Sequence, residues 1–446
     1  MHNLPRTMSL AAALAITTTA SAKSELASAP AADDVATLRA QGPAGLATLL
    51  ARFDRLGAGP ARDALARRID AVAAQRYATV SRLYWYTDLG QAEAAARAQH
   101  RPILALRMLG RLDEDLSCAN SRIFRATLYA NADVSKFLRD NFVLYWSSER
   151  AVPVVTIDFG DGRKIQRTTT GNSAHYVLDE NGGVIDVLPG VYAPTVFKSE
   201  LTKTLTLAKK LRGLDEARRA VAVAEHARTG GDQARAEFAK VGGQVYLPGR
   251  RRLVAAADMA SELAKAQRAT MSKARVEVPD LVRIGFDAGA IAPTDVDQWA
   301  TVGQMAFGIG DVKPVAERAA EPVAQQKQAA TPAKPVAAPR ILDDQSRALV
   351  ARLHNGDGRP VPQAQLDAMI ARLEQTLVAD TALNEFQLRA QIRTYLDTAR
   401  VRDFGKLNEM IYANVFHTPK SDLWLGLHPR TDFTGLPADG VSTPAI

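Results

Sequence analysis

The run Pro102-Ile103-Leu104-Ala105-Leu106-Arg107-Met108-Leu109, followed across Gly110 to Ser117 by Cys118-Ala119-Asn120-Ser121, decides how the rest of the chain is read. The first eight residues form an apolar, strand-like run. From Arg122 to Tyr129 the spacing is that of a helix. The chain's only cysteine therefore stands where a buried strand gives way to a helix. Redox proteins hold a reactive sulfur in such a place, because a helix N-terminus favours the thiolate. Asp113, Glu114 and Asp115 just before it oppose that ionisation.

Outward from this stretch the pattern is α/β. Trp85 and Tyr86 precede a helix from Gly90 to Gln99, ahead of the first strand. After the cysteine helix come a short helix over Asp133–Arg139 and a strand over Asn141–Trp146. A hairpin is expected from Val154 to Thr168, turning at Gly160-Asp161-Gly162. Strands over His175–Leu178 and Val184–Leu188 flank an Asp179-to-Gly183 turn, and a helix from Pro194 to Leu211 closes the unit.

This order of elements resembles the thioredoxin-like fold, over about 110 residues. In the branch that opens with a Trp and a helix, a Cys-x-x-Cys motif is followed by a Val sixteen residues after its first cysteine. Here that position is Val134. The second cysteine position holds Ser121, so the motif is Cys-x-x-Ser, and Ser173 falls where the family has its cis-proline. The 154–168 hairpin stands where the family usually has a helix. The resemblance implies a substrate groove along Trp85, Asn120 and Ser173. It also implies a catalytic group of Cys118, with Ser121 hydrogen-bonding the thiolate and His175 as a base in a Cys–His pair. The plainer alternatives are an inert, semi-buried Cys118 and a structural His175. Lacking a resolving thiol, such a site suits monothiol exchange, disulfide isomerisation or capture of a partner thiol.

The flanks are helical. Arg6, the apolar run Leu10–Ile16 and Ala20-Ser21-Ala22 fit an export signal over 1–22. Residues 23–80 read as a helical segment: Leu46, Leu49, Leu50 and Phe53 recur at helical spacing, as do Leu65, Ile69 and Val72. The thioredoxin-like unit spans 81–212, and a helical region follows over 213–311. Residues 312–340 contain five prolines and nine alanines without an aromatic, Leu, Ile or Met, which makes them a linker. Residues 341–446 carry three apolar stripes, over Leu366–Leu377, Leu388–Leu396 and Leu407–Val415, which read as three helices with short connections and are expected to form a separate C-terminal helical bundle.

At 446 residues and 47% apolar content the chain has ample material for packed cores. Its net charge of +8 is spread over scattered Arg and Lys, and no nucleic-acid-binding motif accompanies the clusters at Lys209–Arg212 and Arg250–Arg252. No later run reaches the length of a membrane span. The histidines form no ligand-spaced cluster, three adjacent acids do not make a cation site, and phosphate-loop and Gly-x-Ser-x-Gly motifs are absent, so no metal or cofactor is expected. A lone cysteine forms no internal disulfide. Two functions remain. One is an exported (periplasmic or extracellular) protein with a monothiol role, of thiol–disulfide oxidoreductase or isomerase type if it is an enzyme, meeting a protein partner through a mixed disulfide. The other is a non-catalytic protein-interaction scaffold on a degenerate thioredoxin-like domain.

Overall fold

The computed structural model describes residues 32–168, 172–242, 293–310, 339–356, 360–425 and 436–437. The expected export signal, the helical pattern between 243 and 292, and all of the 312–340 linker but its last two residues lie outside the described residues.

Four helices open the described residues: α1 (Ala32–Ala40), α2 (Pro43–Phe53), α3 (Pro60–Ala73) and α4 (Ala78–Ser81). Pro43 and Pro60 sit at first-turn positions, where a missing N–H and a fixed φ cost nothing. Leu46, Leu49, Leu50 and Phe53 meet Leu65, Ile69 and Val72 in a small core, as their spacing predicts. Hydrogen bonds fasten this helical unit to the α/β part of the chain. Trp85 donates its backbone N–H to the Ala73 carbonyl (3.0 Å), and the Trp146 indole N–H reaches the Ala74 carbonyl (2.8 Å).

The α/β part runs α5 (Leu89–Gln99), β1 (Ile103–Leu109), α6 (Ala119–Ile123), a π-helical turn (Phe124–Leu128), α7 (Ala132–Asn141) and β2 (Val143–Arg150). Then come β3 (Val154–Asp158), β4 (Lys164–Thr168), β5 (Ala174–Leu178), β6 (Val184–Pro189) and α8 (Pro194–Leu211). Strands β2-β1-β5-β6 make one sheet in that order. The β1–β2 pair is parallel (Leu104 opposite Leu144), β1–β5 is antiparallel (Leu106 opposite His175), and β5–β6 is antiparallel (Tyr176 opposite Val187). β3 and β4 form a separate two-stranded hairpin. Every residue of β5 and β6 is buried, so the sheet is covered on both faces and its strands read as apolar runs. Strand β2 extends four residues past the expected Trp146, because Gly110 and Leu109 continue to pair beside Arg150.

The remaining described helices are α9 (Glu216–Gly242), α10 (Pro293–Phe307), α11 (Asp344–His354), α12 (Gln363–Leu383), α13 (Arg389–Asp397) and α14 (Phe404–Met410). π-helical turns follow α12 (Asn384–Leu388) and α14 (Ile411–Val415). Two expectations are corrected here. The stripes at 366–377 and 388–396 do not belong to two helices joined by a loop: α12, its π turn and α13 run on as one rod. Nor is the C-terminal part a separate bundle. Leu377, Leu388, Ile392, Ile411, Tyr412 and Phe416 belong to the same apolar cluster as the sheet. Polar ties reinforce it: the Tyr176 hydroxyl donates to Asn408 Oδ1 (3.0 Å) and the Val184 N–H to the Arg402 carbonyl (2.8 Å). The physical reason is the sheet itself. Strands apolar on both faces need a second cover, and these helices supply it.

Candidate functional site

Cys118 is the N-cap of α6, as expected, and its Sγ accepts the Ser121 backbone N–H at 3.4 Å. Its exposure is 0%. Four segments tied together by hydrogen bonds lie near it. The 110–117 loop is one: Gly110 takes φ +72°, and a Cβ there would stand 3.0 Å from Val152 Cγ1. That loop is clamped by buried Arg125, which donates to the Leu112 and Glu114 carbonyls (3.2 and 2.6 Å) and to Ser117 Oγ (3.0 Å). Burial lowers the Arg125 pKa, while the nearby Tyr77, Asp115 and Cys118 work against that shift. The base of the β3–β4 hairpin is the second: Thr168 Oγ1 donates to the Ser117 carbonyl (2.9 Å). The third and fourth segments meet each other. The Tyr412 hydroxyl donates to the Asn172 carbonyl (2.9 Å), and Asn172 Nδ2 donates to the Phe416 carbonyl (3.2 Å). Burial, then Tyr176 and Glu149, and then the Cys118 sulfur all push the Tyr412 hydroxyl well above its ordinary pKa.

The other expected site residues are brought together, but not as a working constellation. Ser121 does reach Cys118, through its backbone N–H rather than its hydroxyl. The hydroxyl lies 2.7 Å from Ser117 Oγ and donates to the Cys118 carbonyl (2.8 Å). The Cys118–His175 pair is not formed. His175 is wholly buried between Phe124 and Phe197, with ring centroids at 4.7 and 4.9 Å, and its Nε2 bonds the Tyr129 hydroxyl at 2.7 Å. Burial lowers its pKa to about 3, so the ring is neutral and tied to a phenol. Trp85 lines no groove. It is fully buried and donates its indole N–H to Gln75 Oε1 (2.7 Å). Asn120 and Ser173 are equally buried, and the Ser173 carbonyl accepts the Gly190 N–H (2.8 Å). Asn120 Oδ1 and Nδ2, Ser173 Oγ and His175 Nδ1 have no hydrogen-bond partner.

The acids before the cysteine do not bear on the thiol as their sequence position suggests. Arg111 pairs with Asp113 (2.7 Å) and Glu114 (3.1 Å), and Arg76 pairs with Asp115 (2.9 Å). Burial pushes the Asp115 carboxyl up, but hydrogen bonds from Arg76 and Tyr77 more than offset it and hold the pKa below its ordinary value. Among the described residues, no group of three or more His, Cys, Asp or Glu side chains is arranged to hold a metal ion.

One charged constellation escaped the sequence reading. Arg389, buried, donates Nη1 to Glu200 and Glu385 (2.7 Å each) and Nη2 to Asp186 (2.5 Å). Arg393 donates Nη2 to Glu385 Oε1 (2.7 Å). Two signals for it exist in the sequence: a lone acid inside the apolar run Val184-Ile185-Asp186-Val187-Leu188, and Glu385, Arg389 and Arg393 at four-residue steps beside an apolar stripe. No protein-family model, curated protein or solved structure matches this chain.

Proposed function

We propose that the chain is an exported protein of thioredoxin-like fold that works by binding protein partners, with its thiol kept as a buried packing residue. One observation carries the reading: Cys118 has no exposed surface. A partner disulfide has no path to a sulfur so placed. The fold assignment draws support from the β2-β1-β5-β6 order, parallel then antiparallel, and from the thiol at the turn after β1. The export assignment rests on the charged, apolar and small-residue pattern of residues 1–22. For binding, the protein exposes apolar side chains: Leu423 is 82% exposed, with Trp424, Val154 and Phe159 also open to solvent. Arg150, at the end of β2, donates to the Asp422 carbonyl (2.7 Å) and so holds the Leu423–Trp424 turn close to the strand that leads into the β3–β4 hairpin.

The test is iodoacetamide labelling of the folded protein against the urea-unfolded chain. Slow labelling that tracks unfolding is expected. Rapid labelling of a protein whose circular dichroism is unchanged returns the chain to monothiol chemistry. That second reading is favoured by the unpartnered polar atoms of Asn120, Ser173 and His175, which an opened site would expose to a substrate.

A further inference from the structure

A cleft of about 1030 Å³ lies away from the thiol, walled by α8 and α9 and floored by the π turn 384–388 and α13. Its size is that of a ligand pocket for a small organic molecule. The floor is the charged constellation around Arg389, and a fold carries such a cluster at a cost, since charges taken from water must all be paired. Here the pairing closes but for two atoms. Asp186, Glu200 and Glu385 face Arg389, Arg393 and, at the rim, Lys203, with His226 Nε2 also 3.7 Å from Asp186. Within that set Arg389 Nε and Arg393 Nη1 have no partner. Arg389 commits both its terminal nitrogens to three carboxylates. Arg393, only 7% exposed and lining the cleft, commits one and keeps the other. An unsatisfied guanidinium N–H costs about as much as a lost charged hydrogen bond, and a shift of the Arg393 side chain that brings the buried N–H to an acceptor in the cleft removes that cost.

The helix geometry serves the same place. A π turn widens a helix by one residue and re-aims its side chains, and such turns gather at functional sites. Here it sets Glu385 and Phe386 into the cleft together. Phe386 stacks on Phe307 of α10 (5.6 Å, 9° between planes), giving an aromatic wall beside the charged floor. On the opposite side Gly230 of α9 leaves room for Arg393, since a Cβ there would come within 3.3 Å of its Nε.

We propose that this cleft binds a small amphipathic carboxylate, its anionic end held by Arg393 and its apolar body lying on Phe307 and Phe386. The floor's unpartnered groups are donors, which selects an acceptor end over an ammonium. The site is independent of the thiol and of the protein-binding reading, so either stands if the other fails.

The experiment is calorimetric titration of the full chain with decanoate, kept below its micellar concentration, and with the decyltrimethylammonium ion. Saturable one-to-one binding of decanoate alone is expected. Arg393→Gln should weaken it about tenfold or more, the loss of one charge-assisted hydrogen bond. Because that variant also unpairs Glu385, Gln233→Trp serves as a second: its exposed position on the cleft wall lets the indole fill the space without removing a charge, and it should abolish binding. Absence of decanoate binding, equal binding of the ammonium, or binding unchanged in Gln233→Trp overturns the proposal.

Discussion

A histidine in an apolar strand sequence can be a base or a packing residue, and for His175 the neighbours decide. Phe124, Phe197 and Tyr129 enclose it, and its pKa falls to about 3 because burial penalises the charged ring. A group whose folded pKa lies below its unfolded value of about 6.5 contributes full stability above pH 6.5 and loses it as the pH falls towards 3. The unfolded chain takes the proton that the folded chain refuses. Between pH 6.5 and 4.5 the urea midpoint is therefore expected to fall at a rate worth up to about 1.4 kcal/mol per pH unit from this residue, and His175→Phe should flatten that slope. Equal slopes in the two proteins would show that the ring ionises freely. Tyr129→Phe leaves the ring with no partner on either nitrogen and should cost about 1–3 kcal/mol in the same assay. At this scale the sequence revealed which residues carry chemistry but not what touches them. The identity of Cys118 and its helix-start position were legible. Its burial was not, because Tyr412, whose hydroxyl lies near the sulfur, stands almost three hundred residues downstream.

Local pattern fixes elements well where turn and first-turn residues mark their ends. It found α8 and both strands of the closing hairpin to within one residue, and it caught the apolar stripes of α2 and α3 without separating α1 from α2. It failed at the π turn between α12 and α13. One extra residue in the turn shifts the apolar stripe, and a shifted stripe imitates the start of a new helix. The elements are locked to one another through that turn. Gly190, at the end of β6, takes φ +69°, and a Cβ there would lie 2.6 Å from Asn384 Nδ2, which donates to the Val191 carbonyl (2.7 Å). Gly190→Ala meets both penalties and should cost about 1–3 kcal/mol by chemical denaturation. Arg389 joins β6, α8 and α13, and Arg389→Met leaves three buried carboxylates without their shared cation. A loss of about 3–5 kcal/mol is expected at neutral pH. The sign with pH follows from the acids. Burial raises the Asp186 and Glu385 carboxyls, but Arg389 more than compensates and holds both below their ordinary pKa. Without it burial prevails, the acids bind protons more readily, and the variant's deficit should shrink as the pH falls from 7 towards 4. A deficit constant over that range would mean that Arg389 acts through packing alone.

Across the whole molecule, the abrupt compositional change at residues 312–340 suggested two independently folding parts, and a linker's composition says nothing about whether the segments it joins meet again. The described helices beyond it do meet the sheet. Leu407, Ile411, Tyr412, Val415 and Phe416 are all buried in the sheet's own apolar cluster. Deleting a single buried side chain of this size costs about 2–5 kcal/mol, whereas a folded domain is stable by only about 5–15 kcal/mol in all. Removing residues 399–446 subtracts five such side chains together with the hydrogen bonds of Asn408 and Tyr412. The truncated chain is thus expected not to fold to a native sheet. In the full chain, Trp85 and Trp146 report on the sheet and its N-terminal helices, and Trp299 reports on α10 where it packs against α12. If one core links these regions, tryptophan fluorescence and far-ultraviolet circular dichroism should follow a single urea transition with a common midpoint. Two midpoints, or a truncated chain that retains the first, would mean that the C-terminal helices rest on the sheet without being needed by it. The cover over Cys118 would then be able to leave a folded protein, and the thiol beneath it would come within a partner's reach.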